Sequence, residues 1–241
     1  MENLENKSLI STGSSNMAKT EKLLSITQKI LSEIKPQYES VRIGNQEWMT
    51  RNLNVDRFRN GDLIPHVESD EEWIKAGENG QPAWCYYDNY PVNGRMYAKL
   101  YNWYAVNDPR GLAPEGWHVP SDDEWTSLEE YLGGNGIAGH KMKSVKGWED
   151  WEHEDGEFQN GNRDNLSGFN GLLGGSRRNV GSFFDINSGA FFWSATENDH
   201  NDAWIRSLND YFGSVDMIYN FLDDKSVGAS VRCLRDDYKS I

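Results

Sequence analysis

Residues 116–134 read Gly116-Trp117-His118-Val119-Pro120-Ser121-Asp122-Asp123-Glu124-Trp125-Thr126-Ser127-Leu128-Glu129-Glu130-Tyr131-Leu132-Gly133-Gly134. This stretch carries its own start and stop. Ser121 and Glu124 have the spacing of a capping box, in which the Ser hydroxyl accepts from the Glu backbone N–H and the Glu carboxylate reaches back to the cap. Asp122 and Asp123 suit the positive start of a helix dipole. Trp125, Leu128 and Leu132 follow at helical spacing and Gly133-Gly134 ends the run. One short amphipathic helix with a single apolar stripe must bury that stripe against something else.

Outward from this helix the texture is short β-like pieces between turn residues. Asn-Gly occurs at Asn60, Asn79, Asn93, Asn135, Asn160 and Asn170. The pair favours tight hairpin turns because both residues tolerate positive φ, so many loops and few long elements are expected. Residues 95–97 read as a short strand, 100–106 as a second, weaker helix, and 229–235 as a strand whose imperfect alternation suits two covered faces. Near the start, Leu23, Leu24, Ile26, Ile30, Leu31 and Ile34 fit an amphipathic helix over 20–35, ended by Pro36. A helix this short is marginal alone, so it packs on the domain or on copies of itself. The reading is an α+β chain with few helices: a polar N-terminus over 1–19, a helical tether or oligomerisation segment over 20–38, and one domain over 39–241.

Composition narrows the function. The 241 residues hold 24 basic and 38 acidic side chains, a net charge of −14. Residues 1–40 contain five Lys and five Glu, so the whole excess lies on 41–241. Such a surface repels nucleic-acid phosphate and anionic membrane. No apolar run reaches the length of a membrane helix, and residues 1–18 lack a signal-peptide core, which leaves localisation open. Ten Trp, eleven Tyr and nine Phe supply an aromatic core. Cys85 and Cys233 allow one disulfide or none. His66, His118, His140, His153 and His200 have no second ligand at metal-site spacing and read as structural or solvated. Residues 149–157 hold six carboxylates. They resemble a Ca²⁺-binding EF-hand loop only loosely, and a solvated loop is the favoured reading; no cofactor is expected beyond a structural Ca²⁺ there. Gly174-Gly175-Ser176-Arg177-Arg178 reads as a glycine-permitted bend whose arginines neutralise local acids, rather than an anion cradle.

Several blocks in order resemble a known family. The segment 116–125, Ser167-Gly168-Phe169-Asn170 with Gly174-Gly175, Phe192-Trp193-Ser194-Ala195-Thr196-Glu197 and Ser230-Val231-Arg232-Cys233-Leu234-Arg235-Asp236 are similar to the signature blocks of the Fibrobacter succinogenes major paralogous domain. Val41-Arg42-Ile43-Gly44, with Trp48-Met49 and Asn52-Leu53, looks like its opening strand. The resemblance covers about residues 41–236. It implies the C-type-lectin-like fold of formylglycine-generating enzymes, with irregular antiparallel sheets. A cysteine often found in the family falls at Ala113 here, so Cys233 lacks its expected partner. With one cysteine in the C-terminal half, the copper-dependent oxidase chemistry of those enzymes is not expected.

Residues 198–224 read NDHNDAWIRSLNDYFGSVDMIYNFLDD and contain no Glu, Lys, Gln or Pro. Their composition is what randomised adenines in AAC-like codons leave, and it resembles the variable region of proteins diversified by retroelements. That resemblance makes Trp204, Arg206, Leu208 and Val215 scaffold. It makes His200, Asp202, Ile205, Ser207, Asp210, Tyr211, Phe212, Ser214, Asp216, Ile218, Tyr219 and Phe221 ligand-facing. Exposed aromatics with short polar residues are the chemistry of a binder's paratope. The expected function is non-enzymatic recognition of a protein or glycan through residues 198–229, on a phage particle or bacterial surface, with the 20–35 helix tethering the domain or joining copies. The alternatives are a carbohydrate-active enzyme using a carboxylate pair and a structural envelope module.

Overall fold

The computed structural model describes residues 38–148, 151–152, 158–159, 164–209 and 218–236, together with Lys22. The helix expected at 20–35 lies, apart from Lys22, outside the described residues, as does most of the acidic run at 149–157 with its Ca²⁺ reading.

Within Glu39–Ile241, one of the chain's two compact units, the elements are short. Strands β1 (Ser40–Ile43) and β2 (Gln46–Met49) form a hairpin closed at Gly44, whose φ of 62° lies in the left-handed region that favours glycine. Then come α1 (Asp70–Glu78), β3 (Trp84–Cys85), α2 (Pro91–Tyr97), β4 (Leu100–Tyr101), α3 (Trp103–Val106) and β5 (Trp117–His118). Helices α4 (Asp122–Leu132) and α5 (Asn135–Met142) follow, then β6 (Trp151–Glu152), β7 (Phe158–Gln159) and β8 (Gly174–Arg177). The chain continues through β9 (Phe183–Ile186), β10 (Gly189–Glu197), β11 (Asp202–Asn209), β12 (Ile218–Asp224) and β13 (Leu234–Arg235). The larger sheet has the order β12-β11-β10-β8-β9, with only the β10–β8 pair parallel. A second sheet runs β1-β2-β13-β5, and β3–β4 and β6–β7 form two-stranded ladders. The chain is α+β, with five α-helices among the described residues.

Helix α4 forms as its sequence dictates. Ser121 accepts from the Glu124 N–H, Glu124 returns to the Ser121 N–H at 2.8 Å, and Gly133 caps the end at φ 111°. Its stripe of Trp125, Leu128 and Leu132 enters a core with Trp48, Phe169 and Phe192. The Trp48 and Trp125 rings lie 4.7 Å apart. Trp117, Trp193 and Val231, from the blocks that resemble the family signature, are also buried. Across the helix, buried Arg206 of β11 bonds the Asp122 carboxylate at 2.6 Å and the Thr126 hydroxyl at 2.9 Å, which pins α4 to the larger sheet.

Other local readings change. Residues 95–97 are not a strand but the end of α2, which starts on Pro91. Asn93-Gly94 lies inside that helix because the Tyr86 ring packs on Gly94, where a Cβ would come within 2.3 Å of it. Residues 100–106 split into β4 and α3 at Asn102, whose side-chain oxygen accepts from both Ala83 and Ala105 N–H groups. Among the described Asn-Gly pairs, Asn60-Gly61 turns the chain between the bridged Arg57 and Leu63, whereas Asn79-Gly80 follows α1 and Asn135-Gly136 opens α5. Gly174–Arg177 is strand β8 rather than a bend.

The segment at 227–235 is regular strand only at β13. Before that it bonds in turn to Arg177, Tyr101, Phe191, Trp193 and Leu53, and so stitches the sheets together. Each neighbour engages a single residue of the segment, Gly228, Ala229, Ser230 or Val231, which prevents one long ladder, and both faces of the segment are buried. Arg232 sits at its centre, fully buried. Cys85 and Cys233 are free, buried thiols, and burial pushes each up to about 12.

Candidate functional site

A cleft of 420 Å³ opens where α1, α3, the loop after β8, the β10–β11 loop and the end of β12 converge. Its walls include Glu78, Tyr104, Asn179, His200, Asn201 and Asp224. The volume falls within the ~300–1,000 Å³ of small-molecule sites.

Buried contacts hold each wall. Ser69 caps α1, and the Trp73 indole N–H bonds the Ser226 carbonyl at 3.0 Å. Gly77 lets the helix touch the chain: a Cβ there would lie 2.4 Å from Ser226 Oγ. Trp103 donates its backbone N–H to the Lys225 carbonyl and its indole N–H to the Ser194 carbonyl, both near 3.0 Å, and so fixes the neighbouring Tyr104 backbone. Arg177, fully buried, bonds the Val67, Glu68 and Gly181 carbonyls and the Asp70 carboxylate, anchoring the loop that carries Asn179.

The β10–β11 loop is fastened by Lys225. Its ammonium is buried and bonds the Glu197 carboxylate and the Asp199 and His200 carbonyls. The Asp199 carboxylate accepts from the Asn201 and Asp202 N–H groups at 2.8 and 3.1 Å. The bond from Asn201, then that from Asp202, holds the Asp199 pKa below its ordinary value. Asp223 is shifted the other way, raised first by burial and further by the neighbouring Asp224 and Asp202. Asp224 accepts from the Asn179 amide at 3.1 Å and from the Ser226 N–H at 2.7 Å.

The expected ligand-facing residues divide. His200 is exposed on the cleft and Asp202 is half-buried at the start of β11. Ile205 and Ser207 are both 0 % exposed, which corrects the expectation that they face a ligand. β11 lies between β10 and β12 with both of its faces covered, so the alternation assumed for it fails. Arg206 and Leu208 are buried, as scaffold should be, and Trp204 is half-buried. Ile218, Tyr219 and Phe221 lie on β12 opposite Leu208, Ser207 and Ile205. Asp210, Tyr211, Phe212, Ser214, Val215 and Asp216 fall outside the described residues. Sequence reasoning missed Glu78, Tyr104 and Asn179, which are far from the 198–224 segment in the chain and carry no motif.

A second polar constellation lies on the signature block. His118 Nε2 bonds Glu124 at 2.9 Å and Nδ1 bonds Asp236 at 2.8 Å. The Glu124 bond, then that of Asp236, raises the His118 pKa against the effect of burial. Both ring nitrogens are occupied, so this histidine ties β5, α4 and the residue after β13 together rather than offering a free base. Among the described residues no group of His, Cys, Asp and Glu is placed to hold a metal ion, and no helix is long and apolar enough to cross a membrane.

Comparison with curated proteins and with solved structures gives no significant match. The family model of the Fibrobacter succinogenes major domain matches residues 41–235, from the first hairpin to the last strand. The chain therefore belongs to the Fibrobacter succinogenes major domain family.

Proposed function

We propose that this is a non-enzymatic ligand-binding protein of C-type-lectin-like fold, which presents the surface around residues 198–229 to a protein or glycan. The observation that carries the reading is the cleft, whose floor and rim take His200, Asn201, Asp224 and Ser226 from that segment. A loop latched by a buried lysine on a rigid sheet keeps its shape while its outward side chains vary, which is how binding loops are built on stable scaffolds. The high count of short polar and aromatic residues in 198–224 supports the same reading. The 20–35 segment tethers the domain or joins copies of it, and the protein is carried on a phage particle or bacterial surface.

The test applies the labelled full chain to arrays of glycans and of bacterial surface proteins. Specific retention is expected, with loss on combined His200→Ala and Asn201→Ala substitution and a melting temperature close to that of the parent. No retention on either array, or retention indifferent to the substitutions, refutes the reading. Turnover of a retained glycan would replace it with the enzymatic alternative.

A further inference from the structure

We propose that the cleft takes one uncharged sugar residue, the terminal unit of a larger glycan. This rests on the ligand-binding reading above and specifies its ligand. The residues that line the cleft carry hydrogen-bond groups of both senses: the Glu78 and Asp224 carboxylates accept, the Asn179 and Asn201 amides donate and accept, and the His200 ring does either. A sugar hydroxyl is itself donor and acceptor, so a ring of hydroxyls matches such a mixed lining. Tyr104 supplies an aromatic ring in the same wall, the surface against which the apolar face of a pyranose stacks. At 420 Å³ the space suits a single sugar unit, with the rest of the glycan left in solvent.

Charge selects within this class. Two carboxylates line the cleft and neither Lys nor Arg does. The ammonium next in sequence, that of Lys225, is buried and engaged by Glu197 and two carbonyls, so it gives an anionic ligand nothing. An acidic sugar therefore meets uncompensated negative charge in a chain that already carries −14. A cationic ligand is not required either, because Asp224 already receives the Asn179 amide and the Ser226 N–H. The site is also preformed. The Asn201 N–H is held by Asp199 and its carbonyl by the Lys225 N–H at 3.0 Å, so little ordering remains to be done on binding.

The experiment titrates the full chain with free hexoses and N-acetylhexosamines, and with the matching uronic acids, by ligand-observed NMR. At least one neutral sugar is expected to bind, with its uronic acid weaker by about tenfold or more. Asn201→Ala and Tyr104→Ala should each weaken the neutral sugar by about tenfold, and Tyr104→Phe, which keeps the ring, should retain most of the binding. Unchanged circular dichroism identifies a binding loss in the alanine variants as local. A uronic acid that binds as tightly as its neutral parent overturns the proposal, as does the absence of binding by every neutral sugar. If no sugar binds while the arrays retain a protein through the same residues, the sugar is wrong and the ligand-binding reading stands. If the cleft substitutions also leave array retention unchanged, both fall.

Discussion

Replacing Arg232 by Met should be the most damaging single change among the buried polar residues. The guanidinium is fully buried and, among the described residues, no carboxylate meets it. Its bonds go to Asn52 Oδ1 at 2.6 and 3.2 Å, to the Met49 carbonyl at 3.0 Å, and to the Phe169 carbonyl, with Asn170 at 3.4 Å. It also lies 4.4 Å from the centre of the Phe169 ring. Burial presses its pKa down to about 9, still above neutral pH, so the group stays charged. Methionine fills much of the space but leaves three close acceptors without a donor. Each buried orphan costs about 1–3 kcal/mol, or ~3–9 kcal/mol for three. Relief from burying a cation that lacks an anion offsets part of this, because a desolvated charge is itself costly. The net expectation is a loss of about 3–5 kcal/mol, a large share of the ~5–15 kcal/mol that stabilises an ordinary domain. Urea unfolding at constant m-value measures it. Adding Asn52→Leu to Arg232→Met should recover little, because the Met49 and Phe169 carbonyls stay orphaned and the Asn52 amide also holds the Tyr97 carbonyl and Ser230 Oγ. A loss below about 1 kcal/mol would refute the argument, since it would mean that the guanidinium adds nothing beyond its volume.

Three further outcomes follow from the same contacts. Trp125→Ala should cost about 3–5 kcal/mol by cavity formation, whereas Trp125→Phe should cost clearly less, because the buried indole N–H has no partner to lose; thermal unfolding separates the two. Gly77→Ala should destabilise despite the ~1 kcal/mol gained in helix propensity, because its Cβ meets Ser226 Oγ at 2.4 Å, and a cleft-binding assay should show the distortion too. The raised pKa of His118 gives stability that is full below its unfolded value of 6.5 and is lost as pH rises through the folded value. Burial pulls Glu124 upward, but the His118 and Ser121 bonds prevail and lower it, so its contribution is present above its unfolded value and lost as pH falls through the folded one. The melting temperature of His118→Ala should therefore depend less on pH above 6.5 than that of the parent.

What the sequence determined by itself is what neighbouring residues settle among themselves. The start, stripe and stop of α4 need only Ser121, Glu124, the three apolar positions and Gly133, all within about four turns of chain, and each stands where local chemistry puts it. The ordered signature blocks identify the family because they mark buried or capping positions such as Trp117, Trp193 and Val231. Tertiary structure decided the rest, because there the governing contact lies far along the chain. Asn93-Gly94 became helix where Tyr86 needed a surface without a Cβ, and the 227–235 segment lost its ladder to several partners in turn. Ile205 and Ser207 left the surface because both faces of β11 are packed, Arg206 and Leu208 on one and Ile205 and Ser207 on the other, which composition cannot express. The cleft is the fullest case. Glu78, Tyr104, Asn179 and Asp224 meet only because Arg177, Lys225 and Gly77 hold four distant loops and helices at fixed separation, and no periodicity or motif encodes a distance of that kind.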